Sequence, residues 1–186
     1  MDKTNKYILA VCPCGGKTFF RKNNSNIQML EYPNRSIIEC YSEDTDRKIL
    51  IDAHNIIYRS LFKEQNETLL LLFPDTATLK LYNDGYPVVF FVPSKESFTD
   101  FQRREEERGL VADYTSETFE SRYKRFWDLK EKDPKSVVYL EEGQYLSDVI
   151  EPYLSERDQY LFKSNRAESK VLSAWNALRG RFNRGE

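Results

Sequence analysis

The chain has 186 residues, of which 40% are hydrophobic and 31% are charged, and its formal net charge is −2. This length fits one domain that buries its own core, and the composition excludes a disordered chain. No stretch approaches the roughly 20 apolar residues of a membrane-crossing helix, and the N-terminus does not match a signal peptide. Three cysteines do not fit a secreted disulfide framework. We therefore expect a single cytoplasmic domain over residues 1–186.

The first predicted elements are a strand and a short helix with a glycine-containing turn between them. Residues 7–11 (YILAV) form an apolar run typical of a strand and end at the Pro/Gly cluster at 13–16. A short helix follows and ends in the polar residues 23–26. Residues 36–41 (SIIECY) are the second predicted strand. Apolar residues at helical spacing over residues 49–61 predict the next helix.

The middle of the chain has the most strongly apolar segments. Residues 69–73 (LLLLF) are apolar on every side, which is typical of a central parallel strand covered by helices. A helix is predicted over residues 76–82 and a buried strand over residues 88–92 (VVFFV). Pro93-Ser94 indicates the start of a charged helix that runs to residue 108, with Gly109 just past its end.

The last third alternates in the same way. Residues 110–114 are predicted to be a mobile connector, and a helix follows over residues 116–130. Residues 136–140 (SVVYL) are the last predicted strand, and a helix over residues 145–154 and a C-terminal helical extension over residues 155–186 complete the chain. Alternating strands and helices predict a three-layer α/β fold, with a mostly parallel five-stranded sheet flanked by helices.

The segment between the first strand and the first helix, VCPCGGKT over residues 11–18, carries the clearest motif. Its second half matches the end of G-x-x-x-x-G-K-[ST], a loop whose backbone N–H groups surround phosphate oxygens. The lysine of such a loop bridges phosphates and the hydroxyl reaches Mg²⁺. We therefore predict ATP and Mg²⁺ as cofactors. The loop residues predicted to bind the nucleotide are Cys14, Gly15, Gly16, Lys17 and Thr18, and Thr18 is also a predicted Mg²⁺ ligand.

The match is incomplete because Val11 occupies the position of the first glycine. A β-branched residue does not readily adopt the positive φ that glycine permits. The alternative interpretation is an ordinary glycine turn in front of a helix.

Asp75 follows the strand at 69–73, at the edge where a parallel sheet presents its ligands. It is predicted either to hold Mg²⁺ through water or to cap the next helix, and both roles are compatible. Cations are concentrated in the two helices around the connector, where a lid that closes over a phosphoryl group needs them. The alternative is a set of solvated ion pairs with neighbouring glutamates. The cations are Arg103, Arg104, Arg108, Arg122, Lys124 and Arg125.

Residues 7 to about 150 resemble the P-loop nucleoside monophosphate kinases, especially guanylate-kinase-like members including small phage-encoded versions. The strongest stretch is LLLLFPDTATLKLYNDGYPVVFFVPSKESFTDFQRREEERG, followed by SETFESRYKRFW. The resemblance implies a P-loop NTPase fold with an arginine-rich lid over about residues 101–126. Arg104 and Arg108 fall on the lid arginines of R-x-x-x-R-G, and Arg122 falls on the arginine of the following helix. The resemblance therefore adds Arg104 to the residues predicted to bind the nucleotide.

The resemblance implies an ATP-dependent phosphotransferase that acts on a nucleoside or deoxynucleoside monophosphate. Such catalysis consists of positioning and charge neutralisation. Nucleotides are the expected partners, and no membrane partner is expected. The residues predicted to be catalytic are Lys17, Arg108 and Arg122.

Three alternatives remain open. One is a non-catalytic nucleotide-binding or interaction protein with a degenerate loop, which Val11 and Cys14 would signal. Another is a polynucleotide-end kinase, although the low pI of about 5.7 does not favour a nucleic-acid partner. Its backbone-tracking residues would be Arg166, Lys170, Arg179, Arg181 and Arg184. The third is a zinc site made by Cys12, Cys14, Cys40 and His54.

Overall fold

The computed structural model describes residues 7–31, 47–64, 69–109 and 119–182. Its five strands form one sheet in the order β2-β3-β1-β4-β5, and each neighbouring pair is parallel. This confirms the predicted α/β fold with a parallel five-stranded sheet flanked by helices. The strands are β1 (Tyr7–Val11), β2 (Met29–Glu31), β3 (Leu69–Leu72), β4 (Val88–Pro93) and β5 (Val137–Leu140).

Helices connect the strands. Each predicted helix in the described residues has a counterpart, although several boundaries shift. The helices are α1 (Lys17–Asn23), α2 (Arg47–Glu64), α3 (Thr76–Asn83), α4 (Phe98–Glu107), α5 (Phe119–Lys132), α6 (Leu146–Val149), a 3₁₀ turn (Glu151–Tyr153) and α7 (Glu156–Phe182).

The central strands are apolar in every position because helices cover both faces of the sheet. All residues of β3 and β4 are buried. Successive side chains of a strand point to opposite faces, and Phe90 and Phe91 show the consequence. The Phe90 ring lies 4.9 Å from the ring of Phe126 on α5, whereas the Phe91 ring lies 5.4 Å from that of Tyr153 in the 3₁₀ turn.

Four predictions need correction or lie outside the described residues. The second strand that the structure shows is Met29–Glu31, and the strand and connector predicted at residues 36–41 and 110–114 fall outside the described part of the chain. The charged helix begins at Phe98 and not at Pro93-Ser94, because Pro93 is still part of β4. The helix predicted over residues 145–154 is split, since Pro152 lacks the N–H that a continuous α-helix requires.

The topology places one crevice at the centre of the sheet. The chain leaves β1 toward β2 on one side and leaves β4 toward β5 on the other. Ligands of open parallel sheets bind outside the carboxyl ends of the strands at such a switch point. The turn that follows β1 lies at this crevice. In the described residues, no helix combines the length and the apolar character that crossing a membrane requires.

Candidate functional site

The turn after β1 is tight and is tied to two neighbouring segments. The Cys12 amide donates to the Phe91 carbonyl of β4 at 2.9 Å, and the Gly15 carbonyl accepts from the Leu146 amide at 2.8 Å. A Cβ on Gly15 would lie only 2.8 Å from Val11 Cγ1. Glycine is required at this position because a larger residue has no room.

The left-handed backbone of the turn does not fall on Val11. Val11 is the last residue of β1, whereas Cys14 has a φ of 58° and Gly16 a φ of 89°. The valine therefore occupies a position where a β-branched residue is favourable. The unusual residue is Cys14, the one non-glycine among the described residues with a positive φ.

Lys17 begins α1 and points back into the turn. Its side chain is buried, with the residue 6% exposed. Its Nζ donates to the Val11 carbonyl at 2.5 Å and lies 3.5 Å from the centroid of the Phe73 ring. Burial lowers the pKa of Lys17 to about 8, although nearby negative groups such as Glu31 oppose the shift. The site thus contains a cation that has lost most of its water.

A cavity of about 190 Å³ opens in front of this lysine. The cavity brings together four of the six residues predicted to bind nucleotide with one of the predicted catalytic arginines, and Arg104 is not among its lining residues. Gly15 does not line the cavity and instead shapes the turn behind it. The polar or functional lining residues are Cys14, Gly16, Lys17, Thr18, Glu31 and Arg108.

Glu31 was not predicted as a site residue. It ends β2, and its side chain is only 14% exposed. Thr18 Oγ1 donates to Glu31 Oε1 at 3.1 Å, and Arg21 Nε lies 3.2 Å from Glu31 Oε2. A strand of three residues leaves no periodic signal in the sequence, so the position of this carboxylate depends on the fold.

Arg104 has a structural setting. It is buried, its Nη1 donates to the Gln144 carbonyl at 3.1 Å, and its Nη2 lies 2.5 Å from Asp100 Oδ2. Its guanidinium also lies 4.5 Å from the centroid of the Tyr145 ring. These contacts join α4 to the loop after β5. The Cys14 thiol donates to the Arg104 carbonyl at 3.4 Å, which connects the same helix to the turn.

Arg122 contacts a buried carboxylate. Its Nη1 lies 3.0 Å from Glu105 Oε2, and the Tyr123 hydroxyl donates to Glu105 Oε1 at 3.4 Å. Glu105 is fully buried, and burial raises its pKa although the charge of Arg122 lowers it. Of the three residues predicted to be catalytic, Lys17 and Arg108 line the cavity and Arg122 does not. Arg103 fits the alternative in which the arginines form solvated ion pairs, since it contacts Asp100 and Glu107 at the surface.

Asp75 caps α3. Its Oδ1 accepts from the Thr78 amide at 2.8 Å, and its own amide donates to Thr78 Oγ1 at 2.9 Å. Burial raises the pKa of Asp75, although its hydrogen bonds with Thr78 oppose this shift. The capping role is therefore present, while the role in Mg²⁺ binding stays a prediction.

The zinc alternative gains no support from the described residues, in which no group of three or more His, Cys, Asp or Glu side chains could hold a metal. Cys40 lies outside them. His54 is on α2, where its ring stacks at 5.7 Å on that of Tyr58. Arg166 and Lys170, two of the five basic residues proposed to track a nucleic acid, are exposed on α7.

No family model, curated protein or solved structure matches the chain. The class of protein is therefore defined by the fold and the site alone. The protein is an α/β protein with a parallel five-stranded sheet, and a small cavity lined by cations lies at the carboxyl end of its central strand.

Proposed function

We propose that the protein is an ATP-dependent phosphotransferase of the P-loop type that acts on a nucleoside or deoxynucleoside monophosphate. The observation that carries the proposal is the buried ammonium of Lys17 at the wall of a small cavity. Thr18 and Arg108 line the same cavity. A buried charge is costly unless it is paired, and a phosphate anion supplies the missing charge.

The dimensions support a phosphate group as the part of the ligand held here. A cavity of about 190 Å³ is smaller than the roughly 300–1,000 Å³ of sites that enclose a whole small molecule. Phe19 lines this cavity and also a second one of about 610 Å³ between α1 and α7. Asn23, Ser147 and Arg166 contribute to the second cavity, which has the size for the sugar and base.

The arrangement supports catalysis by positioning and charge neutralisation, which is the main contribution of proteins to phosphoryl transfer. Lys17 and Arg108 would hold the phosphoryl oxygens, and Arg122 would join them after leaving Glu105. The Thr18 hydroxyl at the cavity wall is a hard oxygen ligand and fits Mg²⁺. When bound, Mg²⁺ would neutralise phosphate charge.

A thermal-shift panel of nucleoside mono- and triphosphates, with and without Mg²⁺, tests the proposal. A ligand present at 100 times its Kd stabilises the native state by about 2.7 kcal/mol. We expect stabilisation by ATP that Lys17→Ala abolishes. Lys22→Ala is the matched control, because Lys22 is an exposed lysine of the same helix. No ATP-dependent shift in the wild type would refute nucleotide binding.

A non-catalytic nucleotide-binding protein is the second candidate, and the contact between Arg122 and the buried Glu105 favours it. In that case ATP stabilises the protein, but no phosphate reaches any monophosphate. Transfer of labelled phosphate from ATP to a panel of ribo- and deoxyribonucleoside monophosphates separates the candidates. Lys17-dependent transfer supports the enzyme, whereas binding without transfer supports the second candidate.

A further inference from the structure

Glu31 is a carboxylate in a place where phosphates are proposed to bind. It lines the cavity together with Lys17 and Arg108. A negative side chain repels a polyphosphate at close range. Its presence in the cavity therefore opposes phosphate binding unless a cation lies between the two negative groups.

Both carboxylate oxygens of Glu31 are held in place. Arg21 contacts one oxygen, and the other accepts the hydroxyl proton of Thr18. A hydroxyl has one proton and two lone pairs. Because the Thr18 hydroxyl donates its proton to Glu31, the lone pairs of the hydroxyl oxygen remain available to another group. A cation is the group that a hydroxyl lone pair and an adjacent carboxylate attract together.

Asp75, the acidic residue that the sequence indicates for a metal, is placed differently. Its carboxylate accepts the Thr78 amide as the cap of α3. It does not belong to the lining of the cavity, whereas Glu31 and Thr18 both do.

We propose that Glu31 is the acidic residue of a Mg²⁺ site in this cavity and that it holds the ion together with the Thr18 hydroxyl and the phosphate oxygens of the nucleotide. Mg²⁺ in nucleotide sites is commonly bound by one or two carboxylates, substrate phosphates and several waters. The inference rests on the proposed function, because the phosphates complete the site. The sequence assigned Mg²⁺ binding to Asp75, which follows β3, whereas this proposal assigns it to Glu31 at the end of β2.

The proposal predicts effects of opposite sign in the absence and presence of the metal. Without Mg²⁺, Glu31 repels ATP, so Glu31→Gln should bind ATP at least as tightly as the wild type. With Mg²⁺, the variant loses a carboxylate that holds the ion. Substitution of a group that supports a metal ligand typically lowers metal affinity about 10–100-fold, and loss of a ligand should cost at least as much as the lower figure. General damage to the fold would weaken ATP binding in both conditions.

Isothermal titration with ATP, in EDTA and over a series of Mg²⁺ concentrations, measures both effects. Mn²⁺ binding to the ATP-loaded protein, followed by electron paramagnetic resonance, is a readout that does not depend on catalysis. We expect Glu31→Gln to need at least about 10-fold more metal than the wild type. Glu142→Gln is the matched control, because Glu142 is exposed and does not line the cavity. Asp75→Asn tests the competing acidic residue; asparagine also caps helices, and under this proposal the variant should keep the wild-type metal dependence. Thr18→Val, which removes the hydroxyl, replaces Glu31→Gln if that variant does not fold and should show the same loss.

The outcomes separate this inference from the proposed function. Lys17-dependent ATP binding with an unchanged metal requirement in Glu31→Gln overturns the role of Glu31 and leaves the phosphate site intact. A metal requirement that changes in Asp75→Asn but not in Glu31→Gln restores the role of Asp75. Equal weakening of ATP binding by Glu31→Gln in EDTA and in Mg²⁺ also overturns the inference. If the wild type binds no ATP in either condition, the inference and the proposed function are both wrong.

Discussion

Replacing Lys17 with methionine should stabilise the protein and abolish its response to ATP. The ammonium is buried in the turn and donates to the Val11 carbonyl, and burial lowers its pKa from 10.5 to about 8. The folded state therefore disfavours the charge that the proposed function needs. Methionine has a similar length and carries no charge. It therefore removes both the buried charge and the ammonium group that is proposed to bind phosphate.

The size of the effect follows from the pKa. A fall from 10.5 to about 8 corresponds to about 3 kcal/mol of unfavourable free energy for the charged form in the fold. Loss of the hydrogen bond leaves the Val11 carbonyl without this donor and costs about 1 kcal/mol. The net gain is about 2 kcal/mol, which raises the Tm of a protein of this length by about 4–8 °C.

The gain should depend on pH in a defined direction. Between pH 8 and 10.5 the unfolded state of the wild type binds more protons at Lys17 than the folded state does. The stability of the wild type therefore rises with pH across this window. The advantage of Lys17→Met is full well below pH 8, decreases across the window and is lost by about pH 10, where the remaining charge penalty no longer exceeds the cost of the lost hydrogen bond.

Urea unfolding of both proteins at pH 7 and at pH 10 measures this dependence, and thermal shift with ATP measures the loss of binding. Lys22→Met is the matched control, since Lys22 is exposed on the same helix and should show neither effect. A Lys17→Met variant that is less stable than the wild type at pH 7 would refute the reasoning. So would an advantage of equal size at both pH values.

Three further predictions concern the neighbouring structure. Gly16 and Gly85 both have a positive φ, but only a Cβ on Gly16 would meet another side chain, at 3.2 Å. Both alanine variants should lose about 1–2 kcal/mol of stability for the backbone strain, and chemical denaturation should show the larger loss for Gly16→Ala. Burial raises the pKa of Glu105 above 4.5, so its contribution to stability decreases as pH rises from 4.5 through the raised pKa. Glu105→Gln should therefore flatten the stability–pH profile above pH 4.5, and an unchanged profile would contradict this. Asp75→Ala should cost about 1 kcal/mol in unfolding free energy and Asp75→Asn much less; equal losses would show that the cap is not its main contribution.

The parts of the fold that the sequence predicts correctly are those with strong local signals. The strands at Leu69–Leu72 and Val88–Pro93 are apolar on both faces, and no other element type of that length fits. The strand Met29–Glu31 was missed because three half-buried residues after a polar segment carry no period. Pro152 was the available signal for the break between α6 and the 3₁₀ turn, but the apolar residues around it favoured one helix.

The residues of the candidate site likewise fall into those that the sequence predicts and those that it does not. Lys17 and Thr18 come from one local motif, and the structure places both at the cavity wall. Glu31 and Glu105 were not predicted as site residues because their partners, Thr18 and Arg122, are distant in sequence. Local spacing identifies the residues that a loop presents, but it does not identify the carboxylates that other elements bring to them.

The acidic residues explain why a cluster of arginines in the sequence does not become a cluster of equivalent arginines at the site. Asp100 neutralises Arg104, and the buried Glu105 contacts Arg122. A guanidinium that already has a carboxylate within 3 Å must give up that contact before it can bind phosphate, and breaking a buried pair is costly. Arg108, which is exposed and lines the cavity, would contact the proposed phosphate without breaking such a buried pair. Ligand binding should therefore depend first on Lys17 and Arg108, and Arg122 takes part only if the ligand compensates for the loss of Glu105.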